Sequence, residues 1–263
     1  MYQKILEHLL PHIQRTADFI AKEYISFDPA NIEIKGHNDL VSYVDKTAEA
    51  MLMEACSQIL PGSGFINEET GMHLSDSDFV WIIDPLDGTT NFMQKIPLFA
   101  ISVALQHQGE TVLGVVHEII RHETFTAIKG KGSFLNNQRI QVTSETQLSQ
   151  VVIATGFPYS NFYDLESYLL MFKEFLFSTR GLRRLGSAAT DLAYTAAGRF
   201  GGFFEANLKP WDIAAGILIV QEAGGITTDF FGSHNCVFGN SILASNPIIH
   251  QQMMNIIRKN VVI

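Results

Sequence analysis

Residues 84–92, with the sequence D-P-L-D-G-T-T-N-F, directly follow the apolar run F-V-W-I-I at residues 79–83. An apolar run of this length predicts a buried strand, so Asp84 and Asp87 would emerge where that strand ends. Two carboxylates held close together in a partly dry site repel each other unless a cation compensates them. Carboxylate oxygens are hard ligands of the kind that Mg²⁺ prefers. The segment therefore indicates a magnesium site at the end of a buried strand.

The residues after the first aspartate predict a tight turn that leads into a helix. Pro85 fixes one backbone angle, and Gly88 tolerates conformations that other residues avoid. Thr89 and Thr90 then supply hydroxyls and free N–H groups where a helix is expected to begin. A helix start is a favourable place for a phosphate group, so the turn predicts anion binding beside the metal.

Composition narrows the function classes. The chain has 263 residues, of which 46% are hydrophobic and 17% charged, as in a soluble globular protein. Its formal charge of −9 argues against direct nucleic-acid binding. Cys56 and Cys236 are too few for a disulfide framework, and no apolar stretch approaches a membrane span. These features, with no signal-peptide pattern at the start, predict a cytoplasmic protein without a membrane partner.

Apolar spacing predicts mixed α/β layers and not a barrel, because strands are grouped early and alternate with helices later. Helices are expected over 3–25, 45–60, 165–177, 188–197, 213–223 and 247–259. Strands are expected over 98–106, 111–119, 124–128, 151–154, 200–205, 225–229 and 242–244. Pro11 is expected to kink the first helix or to mark its true start.

Three further acidic clusters each have a simple structural alternative. Glu68 and Glu69 follow an apolar lead-in and could form a solvated turn. Asp212, after Pro210-Trp211, could cap a helix, and so could Asp45 in the segment 39–45.

With these clusters taken together, the chain resembles the inositol monophosphatase family of Mg²⁺-dependent, lithium-sensitive phosphatases. The resemblance rests on four segments in the family's order: D-L-V-S-x-x-D at 39–45, the pair at 68–69, residues 84–92, and W-D-x-A-A-G at 211–216. It implies an α/β fold, the layered αβαβα sandwich of the inositol monophosphatase and fructose-1,6-bisphosphatase type. It also implies hydrolysis of a phosphate monoester, above all myo-inositol monophosphate, by a metal-activated water without a covalent intermediate.

The resemblance also implies residue roles. The metal ligands, for two Mg²⁺ ions and a weaker third, would be Glu68, Asp84, the Leu86 carbonyl, Asp87 and Asp212. Thr89 would position the attacking water with Asp45 hydrogen-bonded behind it, and Glu68 would complete the catalytic set. Substrate contacts would come from Gly88, Thr89, Gly186, Ser187, Ala188, Glu205 and Asp212. Ser187 could instead cap a helix, and Glu205 could be a charge at a strand end.

Less central positions are also expected from the resemblance. Glu69 would support the metal site, and Lys35 and Arg184 would be outer cations near the phosphate. Asn67 stands where many relatives have glycine, and Ser187 replaces a frequent threonine; neither removes a metal ligand.

Several functions share this chemistry. Histidinol phosphate, fructose-1,6-bisphosphate and adenosine bisphosphates are alternative substrates to a small phosphorylated polyol. A regulatory role on the transcription machinery is an alternative of another class, since some bacterial relatives act there. The family also implies a homodimer. A polar stretch, Ser144-Glu145-Thr146, divides the chain into a 1–145 part carrying most metal ligands and a 146–263 part carrying Asp212 and the substrate loop.

Overall fold

The computed structural model describes residues 1–27, 33–36, 39–157 and 165–260. The side chains of residues 33–36 and 39–41 lie outside this description, and the predicted outer cation Lys35 is one of them.

In the described residues, strands are grouped in the first half of the chain and are interspersed with helices in the second half. The helices are α1 (Tyr2–Ser26), α2 (Tyr43–Ile59), α3 (Thr89–Met93), α4 (Leu165–Ser178), α5 (Ala188–Ala196), α6 (Pro210–Glu222) and α7 (Pro247–Asn260). The strands of the first half are β1 (Glu33–Gly36), β2 (Asp39–Val41), β3 (Gly64–Asn67), β4 (Gly71–His73), β5 (Phe79–Asp87), β6 (Ala100–His107), β7 (Glu110–Glu118), β8 (Glu123–Ile128), β9 (Gly132–Leu135) and β10 (Gln138–Ile140). Those of the second half are β11 (Val152–Thr155), β12 (Gly181–Arg183), β13 (Gly202–Ala206), β14 (Ile226–Thr228) and β15 (Ser241–Ser245).

The strands form two large sheets and one small hairpin. The eight-stranded sheet has the order β10-β9-β8-β7-β6-β5-β3-β4, and the five-stranded sheet has the order β12-β11-β13-β15-β14. β1 and β2 pair antiparallel. Most neighbours in the larger sheet are antiparallel, but β3 and β5 run parallel.

Alternation along each strand divides the core into three apolar layers. On β5, Ile83 packs with α1 and α2, whereas Ile82 packs with α5 and α6 on the opposite face. On β13, Phe203 faces α5 and α6, whereas Phe204 faces α4 and α7. The order of layers is therefore α1/α2, large sheet, α5/α6, small sheet, α4/α7. This confirms the predicted αβαβα sandwich.

Helix α6 is apolar on nearly every side because it lies between the two sheets. Its close approach to the large sheet requires a glycine in β7. A Cβ added at Gly114 would lie 2.8 Å from the carbonyl oxygen of Ala215. This packing brings the first turn of α6 over the acidic end of β5.

Some local predictions differ from the structure. Pro11 neither starts nor interrupts α1, which is helical from Tyr2 to Ser26 with the proline on its exposed side. β5 runs on to Asp87 and does not end at Ile83. The sequence pattern also missed several short strands, including β4, β9, β10 and β12.

The two large sheets lie on either side of residue 145 in the sequence, yet α5 and α6 from the second half pack on the first sheet. The division into 1–145 and 146–263 stays a prediction. Within the described residues, no helix is both long and apolar enough to cross a membrane.

Candidate metal and phosphate site

The parallel pairing of β3 with β5 places two acids side by side. Asn67 pairs with Ile83, and the Glu68 N–H donates to the Ile83 carbonyl at 3.3 Å. Parallel neighbours end at the same edge of a sheet, so Glu68 lies next to Asp84.

A bulge in β5 brings Asp84 and Asp87 to the same face. Asp84 pairs with Ser102 and Asp87 with Ala100, so β5 has one residue more than β6 over this stretch. Without that extra residue, side chains three positions apart would point to opposite faces. Ser102 donates to the Trp211 carbonyl at 2.9 Å, which shows that this face looks toward α6. Both aspartates therefore point toward the start of α6.

The first turn of α6 carries the fourth acid. Pro210 is its first residue, and Asp212 follows two positions later. An Asp212 carboxylate oxygen accepts the Lys209 N–H at 2.6 Å, so Asp212 does contribute to the cap, but from the third position of the helix, with Lys209 as the N-cap residue. The same cap fixes the carboxylate above the acids of β5.

Electrostatics shows how closely these acids converge. Burial, followed by repulsion from Asp212, holds the pKa of Glu68 well above its usual range. Burial and then Glu68, Asp87 and Asp212 do the same to the pKa of Asp84. Burial raises the pKa of Asp87 to about 6, and burial with repulsion from Asp87 raises the pKa of Asp212 to about 7. The predicted ligands Glu68, Asp84, Asp87 and Asp212 thus lie in one repulsive cluster.

The donor set fits a hard divalent cation. In the described ranges, no three His, Cys, Asp or Glu side chains close around a single point tightly enough to form a metal cage. Repulsion from neighbouring carboxylates nevertheless raises the pKa of Glu68, Asp84 and Asp212, which is the electrostatic condition that a cation would relieve. Oxygen-only ligands of this charge suit Mg²⁺ better than softer metals.

The turn after Asp87 has the predicted geometry. Gly88 has a φ of 96°, in the left-handed region, and α3 begins at Thr89. The Thr89 hydroxyl oxygen lies 3.1 Å from an Asp45 carboxylate oxygen and 3.0 Å from the Leu86 carbonyl oxygen. A hydroxyl donates one hydrogen, so Thr89 can donate to one of these acceptors while its lone pairs accept from another group.

Asp45 has two structural contacts at once. One carboxylate oxygen accepts from the Ser42 N–H at 2.9 Å and the Ser42 hydroxyl at 2.7 Å, forming a capping box at the start of α2. The other accepts from Thr89. Burial raises the pKa of Asp45, and the hydrogen bonds from Ser42 and Thr89 oppose that shift. The capping alternative is confirmed, and the catalytic role stays a prediction.

Asp87 is held by the start of α5. A single Asp87 carboxylate oxygen accepts from the Ser187 hydroxyl at 2.6 Å and from the Ala189 N–H at 2.7 Å. Ser187 also caps α5, because its oxygen accepts the Thr190 N–H at 3.2 Å. The substrate contacts predicted for Gly186, Ser187 and Ala188 stay predictions, but this segment lies against a predicted metal ligand.

Glu205 is a buried residue of β13 and not a charge at an exposed strand end. Burial raises its pKa to about 8, Arg184 opposes the shift, and Asp212 and Asp87 add to it. The carboxylate packs against the bare backbone of Gly156, where an added Cβ would lie only 1.9 Å from a Glu205 oxygen. Glu205 and the predicted cation Arg184 therefore lie near the acidic cluster, and their roles toward the substrate stay predictions.

Glu49 is a site residue that the sequence reasoning missed. Its side chain is 1% exposed, and its two oxygens accept the Glu69 N–H at 2.8 Å and the Thr70 N–H at 2.9 Å. The signal that could have found it is its spacing, since Glu49 lies one helical turn after Asp45 on α2.

Comparison with known proteins agrees with this geometry. The family model described as "Inositol monophosphatase family" matches residues 2–261. The chain belongs to the inositol monophosphatase family. Among curated family members, the Nus factor SuhB of Salmonella typhimurium (strain 14028s / SGSC 2262) is 43% identical over 242 residues, covering 92% of this chain and 91% of that protein. The Nus factor SuhB of Escherichia coli (strain K12) is 42% identical over the same length.

Solved structures of the family have the same fold. The extragenic suppressor protein suhB from Bartonella henselae matches with a TM-score of 0.92 and 38% identity, over 98% of this chain and 100% of that chain. An inositol monophosphatase from Thermotoga maritima matches with a TM-score of 0.88 and 33% identity, over 98% of both chains.

Proposed function

We propose that this inositol monophosphatase family member acts on the transcription machinery, as its SuhB relatives are named for doing, and also hydrolyses phosphate monoesters at the acidic site. The transcription role is supported by identity of 43% to a Nus factor along 92% of the chain. The hydrolytic role is supported by four acids, of which Asp84 is buried and the other three are half-buried, that converge beside the Gly88–Thr89 turn.

Two Mg²⁺ ions, with a weaker third, would be held by Glu68, Asp84, the Leu86 carbonyl, Asp87 and Asp212. When bound, these ions would lower the pKa of a coordinated water and stabilise the charge of the departing alkoxide. The protein's own contribution is positioning and charge stabilisation, which dominate phosphoryl transfer.

The residues around the turn would orient the reactants. Thr89 donates its hydroxyl hydrogen to Asp45, and its oxygen then accepts a hydrogen bond from the attacking water. The backbone N–H groups of Gly88 and Thr89 bind the phosphate. Water attacks phosphorus directly, and a new phosphorus–oxygen bond forms as the bond to the alcohol oxygen breaks. The proton lost by the water ends on the departing alcohol oxygen, and no covalent intermediate forms.

A small phosphorylated polyol, above all myo-inositol monophosphate, is the proposed substrate, with Glu205 accepting hydrogen bonds from its hydroxyls. Phosphate release from inositol, histidinol, fructose and adenosine phosphates, with and without Mg²⁺, would test this assignment. Glu205→Gln keeps the shape of the side chain and is expected to lower kcat/KM for inositol monophosphate by about tenfold or more. Turnover of p-nitrophenyl phosphate, which has no polyol hydroxyls, is expected to change little. Equal losses on both substrates would remove Glu205 from this role.

The transcription role predicts that the immobilised protein retains purified RNA polymerase or an assembled transcription complex. Its formal charge of −9 favours contact with protein components over direct contact with nucleic acid. Failure to retain either, under conditions where a SuhB protein retains them, would contradict this role.

The proposed assembly is a cytoplasmic homodimer. The outer side of α4 exposes several apolar side chains, with Leu169, Leu170 and Phe177 at 51%, 55% and 78% exposure. A helix facing water normally carries polar residues there, so this face is a candidate for burial against a second copy. Sedimentation at equilibrium is expected to give twice the mass of the chain. Replacing Leu170 and Phe177 with glutamate is expected to give a monomer, and a dimer that persists would exclude this face.

Lithium inhibition of phosphate release is expected from the family chemistry.

A further inference from the structure

Helix α2 contacts both turns that carry the acidic cluster. Asp45 accepts a hydrogen bond from Thr89 at the start of α3. One helical turn later, the two oxygens of Glu49 accept the Glu69 and Thr70 N–H groups. Residues four apart on a helix lie on the same face, so Asp45 and Glu49 point the same way and each contacts one of the two turns.

The turn held by Glu49 is the three-residue connection between β3 and β4. Asn67 pairs with Gly71 across the hairpin, which leaves residues 68–70 to form the connection. Gly71 has a φ of 79°, which is typical of hairpins of this length. This connection would otherwise depend on its own short strands, because β4 has three residues and two of them are exposed.

The contact combines a charged, buried acceptor side chain with two N–H groups of a partly exposed turn. Both oxygens of Glu49 are used, each on a separate backbone N–H, and the side chain is 1% exposed. Hydrogen bonds to a charged acceptor are stronger than neutral ones, and burial protects them from competing water. The Glu68 carboxylate, which is repelled by Asp212, Glu69 and Asp45, belongs to the residue whose peptide bond to Glu69 is held by Glu49.

We propose that Glu49 is a positioning residue that holds the Glu68 turn in register with the Asp84–Asp87 segment against the repulsion between their carboxylates. Helix α2 then fixes both halves of the acidic cluster, one through Asp45 and the other through Glu49. The part of this inference that concerns metal rests on the proposed function, whereas the grip on the turn does not.

The test is Glu49→Gln, which keeps the length of the side chain but leaves one acceptor oxygen for two N–H donors. Amide hydrogen exchange is expected to speed up by tenfold or more at Glu69 and Thr70, relative to amides elsewhere in the large sheet. The Kd for Mn²⁺, measured by calorimetry, is expected to rise about tenfold. The metal concentration for half-maximal phosphate release is expected to rise more than the rate at saturation falls.

Glu54→Gln is the matched control. Glu54 lies on the same helix, is exposed, and accepts a hydrogen bond only from Gln58 among the contacts described for its side chain. It is expected to leave the two amides and the Mn²⁺ affinity unchanged. Glu49→Asp, which keeps the carboxylate on a shorter side chain, is expected to fall between the parent and Glu49→Gln on both measurements.

Two results would overturn the inference. Unchanged exchange at Glu69 and Thr70 in Glu49→Gln would show that the turn does not depend on Glu49. Faster exchange with unchanged Mn²⁺ affinity would show that Glu68 does not depend on the turn. If the parent protein itself binds no divalent metal, that result would refute the proposed hydrolytic function. The hydrogen-exchange result would still decide whether Glu49 holds the turn.

Discussion

Replacing Asp87 with asparagine is expected to abolish Mg²⁺-dependent phosphate release while the protein stays folded. Asparagine has nearly the same shape, and its amide oxygen can still accept the hydrogen bonds from the Ser187 hydroxyl and the Ala189 N–H. The substitution therefore removes the negative charge of the side chain and leaves its packing unchanged. Loss of one preorganised charge at a phosphoryl-transfer site is expected to cost about 10²–10³-fold or more in kcat. The measurement is initial phosphate release in excess Mg²⁺.

Stability gives an independent check on the same variant. Without metal, the clustered carboxylates of Glu68, Asp84, Asp87 and Asp212 repel one another, so removing one charge relieves part of that repulsion. The metal-free Asp87→Asn protein is expected to melt at the same temperature as the parent or above it. Mg²⁺ is expected to raise the melting temperature of the parent more than that of the variant, because a ligand stabilises only the state that binds it.

Asp76→Asn is the control for Asp87→Asn, since Asp76 is exposed shortly before β5. It is expected to change neither turnover nor melting temperature. A folded Asp87→Asn protein that keeps more than a tenth of the parent's turnover would refute the metal-ligand assignment.

The same variant separates the two proposed roles. Asp87 faces the acidic cluster and is held by α5, so its loss is not expected to change the outer surface. Asp87→Asn should therefore lose phosphate release and still retain RNA polymerase as well as the parent does. Loss of RNA polymerase retention together with phosphate release would mean that the transcription role depends on the intact metal site.

The sequence predicted what depends on local chemistry. The run at 79–83 gave the buried strand, and the threonines after Gly88 gave the helix start that the structure places at Thr89. Apolar spacing located the longer helices because each buries a single stripe or, in α6, nearly its whole surface. The layered sandwich came from the family resemblance, and the three apolar layers of the core confirm it.

Contacts between distant segments could not be predicted in the same way. The bulge that aligns Asp84 with Asp87 depends on pairing with β6, and nothing in residues 84–87 alone specifies that register. The α5 contacts to Asp87 join residues about a hundred positions apart. For Glu49, the sequence offers only the spacing of one helical turn from Asp45, because its partners are backbone N–H groups, which carry no signal of their own in a sequence.

Replacing Thr89 with valine is expected to lower kcat by about 10²–10⁴-fold and to leave Mg²⁺ affinity nearly unchanged. Valine matches threonine in shape but has no hydroxyl, so the bond to Asp45 and the acceptor for the attacking water are both lost. The metal ligands proposed here are other residues, which is why affinity and rate should separate. Thr89→Ser keeps the hydroxyl and is expected to retain most of the rate. Thr47→Val, on an exposed threonine of α2, controls for loss of a hydroxyl elsewhere.

A double-mutant cycle with Asp45→Asn decides whether Thr89 and Asp45 act together. If Asp45 works by receiving the Thr89 hydrogen, removing either partner already breaks the pair, and the double variant should be little worse than the poorer single one. Asp45→Asn also weakens the cap on α2, since Asp45 accepts two hydrogen bonds from Ser42, so unfolding must be measured beside activity. Asp45→Asn in the Thr89→Val background isolates that structural cost, because the catalytic bond is already absent. If the fold-losses in kcat of the two single variants instead multiply in the double variant, Asp45 supports only the helix, and Thr89 orients the water without help from Asp45.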